Sequence, residues 1–369
     1  MTARRLRIVL FAETLDVGGA ERVVVDLANA LAERHAVTVV CAQRTGALAS
    51  QLASAVFVHC LHQLPGNDPR TPFRLARILR SFRADVIHTH HWGVFLEGVL
   101  AGKMAGTPTM VHTVHGLYME YPDGPLSRTK IALRHWLERR SVAYCRQVVC
   151  VSADLVRHCR DEIGIPDRNL VTIVNGMDFG TREPRSIPET TREFVYATVG
   201  RLAAVKNQRL LIAAFAAAFR RQGNLRLLLA GDGPERKALE RLAAVEGVAA
   251  NVEFLGVVTD VDAVLGRADA FVLSSLSEGL PMAALEAMRA RLPILATRVG
   301  GLPDVVEDGR TGLLVEAGDG SALTEGMLML AAAPARAAAM GQAGYSRLRE
   351  HFGRDAMVRA YEQLYDPGI

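Results

Sequence analysis

From residue 7 onward, short runs of apolar and β-branched residues alternate with longer stretches whose apolar positions recur at helical spacing. That alternation predicts parallel sheets covered by helices, an α/β architecture. A first series of strands is expected at 7–12, 36–42, 56–60, 85–89, 109–114 and 147–151, with helices at 20–33, 73–83, 93–104, 128–142 and 153–162. A second series follows at 194–199, 225–230, 252–255, 270–273, 294–296 and 312–315. Its helices are expected near 207–221, 234–246, 261–267, 281–290, 321–333 and 336–350. Between the two lies 179–193, polar and interrupted by Pro184 and Pro188, which reads as a domain linker. The expected domains are therefore 1–185 and 190–350. A last segment, 354–364, carries Met357, Val358, Tyr361 and Leu364 at helical spacing and is expected to return to the first domain and complete it, through about 369.

Length and composition sharpen this picture. At 369 residues, 50% hydrophobic and 22% charged, the chain is long enough for two folded domains and too apolar for disorder. The net charge of +4 hides an asymmetry: basic side chains exceed acidic ones by six through residue 188, and acidic exceed basic by two beyond it. Without aromatic residues interleaved among the cations, nucleic acid is not an expected partner. The five cysteines are odd in number and none has C-x2-C spacing, so a reduced, cytoplasmic setting is expected rather than a disulfide or zinc framework. The first residues lead straight into a short apolar run, without the form of a signal peptide. The longest apolar run, 210–219, is half of what a bilayer span needs, roughly 20 residues, and reads as a core helix.

Candidate chemistry sits in the loops after strands. Val17-Gly18-Gly19-Ala20-Glu21-Arg22 opens a helix, where amides can approach an anion; a tight strand-to-helix turn explains the same residues. The spacing is not G-x-G-x-x-G and no acidic residue closes the second strand, which disfavours a dinucleotide site. At the start of the second domain, Gly200-Arg201 and Lys206 offer a planar donor fork and a compact positive charge suited to a diphosphate. Gly231-Asp232-Gly233-Pro234 follows the next strand, with Asp232 reading as a turn and cap residue. In the stretch from Ser274 to Met288, Glu278 precedes a helix and Glu286 lies inside it. Gly279, Leu280 and Pro281 form the entry, where free amides meet the positive end of the helix dipole. Glu286 stands among Met282, Ala283, Leu285, Ala287 and Met288 and needs a partner, a ligand hydroxyl being one; a plain solvent-facing glutamate is the alternative.

Taken in order, Gly18-Gly19-Ala20-Glu21-Arg22, His88-Thr89-His90, Thr113-Val114-His115-Gly116, Val174-Asn175-Gly176-Met177-Asp178, Gly200-Arg201 with Lys206, Gly231-Asp232-Gly233-Pro234 and Glu278-x7-Glu286 resemble the family-4 glycosyltransferases, retaining enzymes of the GT-B fold. The resemblance covers essentially the whole chain. It implies two facing Rossmann-like domains with a cleft between them and a C-terminal helix crossing back. It also implies a nucleotide-sugar donor held mainly by the second domain and a glycan or lipid-linked acceptor on the first. By the resemblance Arg201 and Lys206 hold the diphosphate, Glu286 the ribose hydroxyls, and Glu278 with the following amides the transferring sugar. Gly18 and Gly19 face the phosphates and His115 lies near the anomeric centre. The family works without a bound metal, so no cofactor is expected, and the setting implied is cell-surface polysaccharide or glycolipid assembly at the inner membrane face.

His88, His90 and His91 resemble a metal cluster, but alternation on a strand puts His88 and His90 on one face and no third ligand is placed beside them, so hydrogen bonding or core packing explains them better. In 70–83, Leu75, Ile78, Leu79 and Phe82 form one stripe and Arg70, Arg74, Arg77 and Arg80 the other side, the pattern of an interfacial helix on an anionic membrane. Arg128, Lys130, Arg134, Arg139 and Arg140 with Trp136 make a second basic segment; a solvated basic face over the core fits either equally well. Two rival functions are a nucleotide-sugar 2-epimerase on the same fold and a non-catalytic glycan- or nucleotide-binding protein.

Overall fold

The computed structural model describes residues 4–64, 68–117, 125–180 and 193–366. It divides into two compact units, one made of Met1–Met177 with Arg354–Ile369 and the other of Asp178–Gly353. Most of the expected linker, 181–192, lies outside the described residues.

The first unit holds strands β1 (Arg7–Thr14), β2 (Ala36–Arg44), β3 (Phe57–Cys60), β4 (Val86–His90), β5 (Thr109–Val114), β6 (Gln147–Cys150) and β7 (Leu170–Thr172), all parallel, in the order β3-β2-β1-β4-β5-β6-β7. Ile8 through Ala12 are all buried, so β1 is covered on both faces. This is why it reads as a continuous apolar run rather than an alternating one. The three-residue edge strand β7 adds to the expected series; its Leu170 and Val171 are only half-buried and Thr172 is exposed.

The second unit repeats the plan with β8 (Phe194–Val199), β9 (Leu225–Ala230), β10 (Val252–Gly256), β11 (Ala270–Leu273), β12 (Ile294–Thr297) and β13 (Gly312–Val315), parallel in the order β10-β9-β8-β11-β12-β13. Its core gathers Tyr196, Phe215, Leu227, Leu229, Val272 and Met327, and the Tyr196 hydroxyl donates to the Met327 carbonyl at 2.6 Å. The apolar run 210–219 is inside the helix Gln208–Arg221, with Leu211, Ile212 and Phe215 buried. A four-residue helix, Leu302–Val305, is too short to show a period in the sequence.

In both sheets the strand order reverses beside the first strand, between β1 and β4 and between β8 and β11. Loops leaving the carboxyl ends of two such strands diverge and open a crevice, the place where doubly wound sheets bind ligands.

Two features differ from expectation or extend it. The helix Thr71–Phe82 buries Leu75 and Leu79, and Ile78 and Phe82 pack on the same core, so its apolar stripe faces protein and is not available to a membrane. Arg74 donates to the Leu61 carbonyl and Arg80 to that of Met104, drawing two of its arginines onto the fold as well. The helix Arg354–Tyr365 belongs to the first unit and buries Met357, Val358, Tyr361, Glu362 and Tyr365. Glu362 pairs with Arg34 and with buried His35 at 3.0 Å. Among the described residues no helix is long and apolar enough to cross a membrane, and none of the five cysteines is in a disulfide.

Candidate active site

At the switch point of the second sheet, the loop after β8 carries Arg201 and Lys206 and the loop after β11 carries Ser274, Ser275 and Glu278. The two loops are laced together by backbone and hydroxyl groups. Leu276 N–H donates to the Val205 carbonyl at 2.8 Å, and Ser274 Oγ to the carbonyls of Lys206 and Asn207 at 3.0 Å each. On this frame Lys206 Nζ donates to both carboxylate oxygens of Glu278 at 2.7 Å, and Ser275 Oγ donates to Glu278 Oε1 at 2.6 Å. The Glu278 side chain is 5% exposed and that of Lys206 28%, so the carboxylate is buried while its cation reaches the surface. Two residues 72 apart in sequence thus form one charged unit.

The neighbouring loops give this unit its shape. Gly300, after β12, has φ +55, and a Cβ there would fall 1.8 Å from the Glu278 carbonyl oxygen. Gly301 N–H donates to the Gly279 carbonyl at 2.7 Å, holding the two loops together. Gly231 has φ +136 and its missing Cβ would meet the Gly200 carbonyl at 1.9 Å, so the loops after β8 and β9 pack backbone to backbone. Gly231 therefore already has a packing reason to be glycine, and Gly200 a backbone one, its φ being +155. Arg201 is exposed and has no side-chain hydrogen bond or ion pair among the described residues; its carbonyl accepts from Gln208 Nε2 at 3.0 Å.

The helix Met282–Arg289 starts on the carboxyl side of the same crevice, with Pro281 as its N-cap. Here the expectation needs correcting: proline carries no N–H, so Pro281 sets the entry angle, and the amides without an intrahelical acceptor begin at Met282. Leu280 is buried, Gly279 lies half-buried between Glu278 and the helix, and Glu286 is half-buried one turn from the helix end.

In the first unit, Gly18 is the N-cap of the helix Gly19–Ala32, with Glu21 curled back so that a Cβ on Gly18 would lie 2.2 Å from Glu21 Oε2. Burial raises the Glu21 carboxyl above its usual range.

At the carboxyl ends of β4 and β5 a buried histidine cluster forms. His88, on the same face of β4 as His90, bonds Tyr365 OH and Thr113 Oγ1 at 2.7 Å each, and Thr113 Oγ1 meets Tyr361 OH at 3.1 Å. His88 is thus a satisfied core residue. His90 Nδ1 lies 3.0 Å from His115 Nε2, and the His91 ring lies tilted against that of His115 with centroids 5.0 Å apart. Burial, then neighbouring imidazoles, holds His88, His90 and His115 well below the ordinary histidine value; burial takes His91 to about 4 and His112 to about 3. The cluster is therefore neutral at physiological pH. His91 also has φ 70, an uncommon backbone for a side chain of this size, and such strain concentrates at working sites. No group of three or more histidine, cysteine, aspartate or glutamate side chains among the described residues is placed to hold a metal ion.

Ser275, Gly300 and Tyr365 contribute to these sites without a role assigned from sequence, and Tyr361 figures there only as one position of an apolar stripe, whereas His90 and Thr113 stand in the motifs His88-Thr89-His90 and Thr113-Val114-His115-Gly116. For Ser275 and Gly300 the local signals are a serine pair following β11 and a glycine pair following β12.

The family described as Glycosyltransferase Family 4 matches residues 17–180, and that described as Glycosyl transferases group 1 matches residues 181–347. A glycogen synthase of Mycobacterium tuberculosis is 31% identical over 297 residues, 78% of this chain and 69% of that protein. The Escherichia coli UDP-Gal:alpha-D-GlcNAc-diphosphoundecaprenol alpha-1,3-galactosyltransferase is 28% identical over 68% of this chain and 67% of its own. Among solved structures, Anabaena HepE in complex with UDP and glucose shares the fold with a TM-score of 0.82, at 20% identity over 97% of this chain and 99% of that one.

Proposed function

Because this chain belongs to the family-4 glycosyltransferases and is an enzyme of that class, we propose that it moves a hexosyl-type sugar from a nucleoside diphosphate to a glycan or lipid-linked acceptor, with retention at the anomeric carbon. The observation that carries the reading is the Lys206–Glu278–Ser275 unit at the switch point of the second sheet, where a nucleotide's phosphates meet strand ends and helix starts. Related proteins support a nucleotide-sugar donor: HepE is seen with UDP, and the E. coli relative is named for UDP-Gal and a diphosphoundecaprenol acceptor.

In this reading Arg201 and Lys206 take the diphosphate, Glu286 the ribose hydroxyls, and Glu278 with Gly279 and the amides that follow the sugar. Gly18 and Gly19 give a phosphate-facing helix start in the first unit, and His115 meets a substrate oxygen. The acceptor hydroxyl oxygen bonds to the anomeric carbon as the bond to the β-phosphate oxygen breaks. The hydroxyl proton passes to the departing phosphate, on the same face. Negative charge grows on that phosphate, so a preorganised lysine, joined by the arginine, stabilises the transition state without a resident metal. Lys206 is held in place beforehand by Glu278, which spares reorganisation during the step.

The decisive experiment incubates the enzyme with UDP-, GDP- and ADP-sugars. Isothermal calorimetry of the matching nucleoside diphosphate should show weaker binding to Glu286→Gln and to Lys206→Ala than to wild type. Equal affinity in all three would overturn the donor site, and an epimeric nucleotide-sugar formed without acceptor would favour the isomerase.

For a lipid-linked acceptor the docking face of this reading moves to the helix Pro125–Val142, which exposes Leu133, Trp136 and Leu137 beside Lys130, Arg139 and Arg140. Apolar side chains flanked by cations fit an anionic bilayer surface at the inner face of the cell membrane. Sedimentation with anionic vesicles at low salt tests it: a Trp136→Ser/Leu133→Ser variant that still pellets with them, or wild type that does not, removes the membrane from the reading.

A further inference from the structure

We infer that His90 sets the tautomer of His115, so that His115 presents its Nδ1–H, a hydrogen-bond donor rather than a base, to a substrate oxygen; this rests on the proposed role of His115 at the reacting sugar. Strands β4 and β5 are in register with His90 opposite Thr113, and His115 stands one residue beyond the end of β5. His90 Nδ1 and His115 Nε2 are 3.0 Å apart with the rings tilted by 22°, and both residues are buried.

Two neutral imidazoles sharing one nitrogen–nitrogen contact can place only one proton in it. The other two nitrogens, His90 Nε2 and His115 Nδ1, are buried and have no partner among the described residues. If the shared proton sits on His115 Nε2, His90 must carry its own proton on Nε2, an N–H with no acceptor whether or not substrate is present. If it sits on His90 Nδ1, His90 Nε2 is a bare lone pair and the single unpaired N–H is that of His115 Nδ1. Buried orphan N–H groups are rarer than under-satisfied acceptors, and only in the second arrangement can a substrate oxygen satisfy the unpaired N–H, leaving just an acceptor without a partner. His115 then accepts from His90 through Nε2 and has no lone pair left with which to deprotonate an acceptor hydroxyl.

His90 can impose this because it is itself fixed. Its ring packs at 4.0 Å against that of His88, whose two nitrogens are both engaged, by Tyr365 OH and Thr113 Oγ1. Tyr361 and Tyr365 come from the C-terminal helix, so the end of the chain buttresses the imidazole that meets substrate.

Long-range 1H–15N NMR on histidine-labelled wild-type protein reads the tautomer directly, with the His115 signals identified by their loss in His115→Gln. Protonated Nδ1 with bare Nε2 is expected; protonated Nε2 overturns the inference, whatever the activity. In kinetics, His90→Leu should lower kcat by about 10- to 100-fold, by analogy with the loss of a partner that orients a metal-bound histidine, with the donor KM little changed. His90→Asn, whose side-chain N–H replaces Nδ1–H, should recover most of it. A fully active His90→Leu beside an inactive His115→Ala refutes the positioning role and leaves the site standing. A fully active His115→Ala refutes instead the site reading on which this rests. Should His90→Leu not fold, the wild-type spectrum still decides.

Discussion

Lys206→Met should destabilise the protein more than Glu278→Gln, although both break the same ion pair. Without Lys206, a carboxylate that is 5% exposed keeps only the Ser275 hydroxyl for compensation. Breaking a fully buried pair from one side costs about 3–5 kcal/mol. Because the Lys206 side chain is 28% exposed and water reaches the gap it leaves, about 2–3 kcal/mol is expected. Glu278→Gln keeps the shape and the Ser275 contact and leaves a cation that can turn into solvent, for about 1 kcal/mol. The double variant carries no buried charge, so its loss should fall short of the sum by about 1–2 kcal/mol. Urea titration of the four proteins, with midpoints compared at constant slope, gives the coupling directly. A coupling within about 0.5 kcal/mol of zero, the scatter of independent sites, would refute the geometry of the charged unit. Saturating nucleoside diphosphate adds a second reading: at about 100 times its Kd it should stabilise wild type by about 2.7 kcal/mol, and Lys206→Met should lose much of that gain at the same concentration.

Three further outcomes follow from the packing. Gly300→Ala has to displace the Glu278 backbone, since its Cβ would sit 1.8 Å from that carbonyl oxygen; it should lower the urea midpoint and cut transfer, and normal activity at normal stability would contradict the loop contact. Leu6 N–H donates to His35 Nδ1, so His35 Nε2 carries the hydrogen that Glu362 accepts; Glu362→Ala strands that buried N–H and should cost about 1–3 kcal/mol, read as a lowered urea midpoint, whereas an unchanged midpoint would mean that water replaces the carboxylate. His91 and His112 are shifted down from 6.5 to about 4 and about 3, so below about pH 6.5 the unfolded chain takes up protons that the folded one does not. Their contribution is complete above that pH and falls as pH drops toward the shifted values, by up to about 1.4 kcal/mol per unit for each; a urea midpoint that does not fall between about pH 7 and about pH 5 would refute their burial as neutral groups.

Local pattern was enough for the α/β architecture. A strand buried on both faces, such as β1, has to be a continuous apolar run, and a helix such as Gln208–Arg221 has to show its period, because each of these signals is written within a dozen residues. Glycines that follow strands marked the loops from which the candidate sites are built. The stripe in Thr71–Phe82 was equally legible but ambiguous, since the same apolar face serves a bilayer or a core, and only the packed neighbours of Leu75 and Leu79 decide which.

Tertiary structure alone decided what meets what. Nothing near Lys206 in sequence announces Glu278; they meet because the second sheet runs β10-β9-β8-β11-β12-β13, which makes β8 and β11 neighbours and brings their following loops together. Nor does a histidine after β5 announce that a histidine in β4 holds its ring, or that two tyrosines near the end of the chain stand behind that pair. Sequence periodicity reports how each element is buried, which is a property of the element. Strand order and register are settled by how all the elements bury their faces together, and so the charges and protons of the candidate sites are distributed by contacts that no stretch of the chain contains by itself.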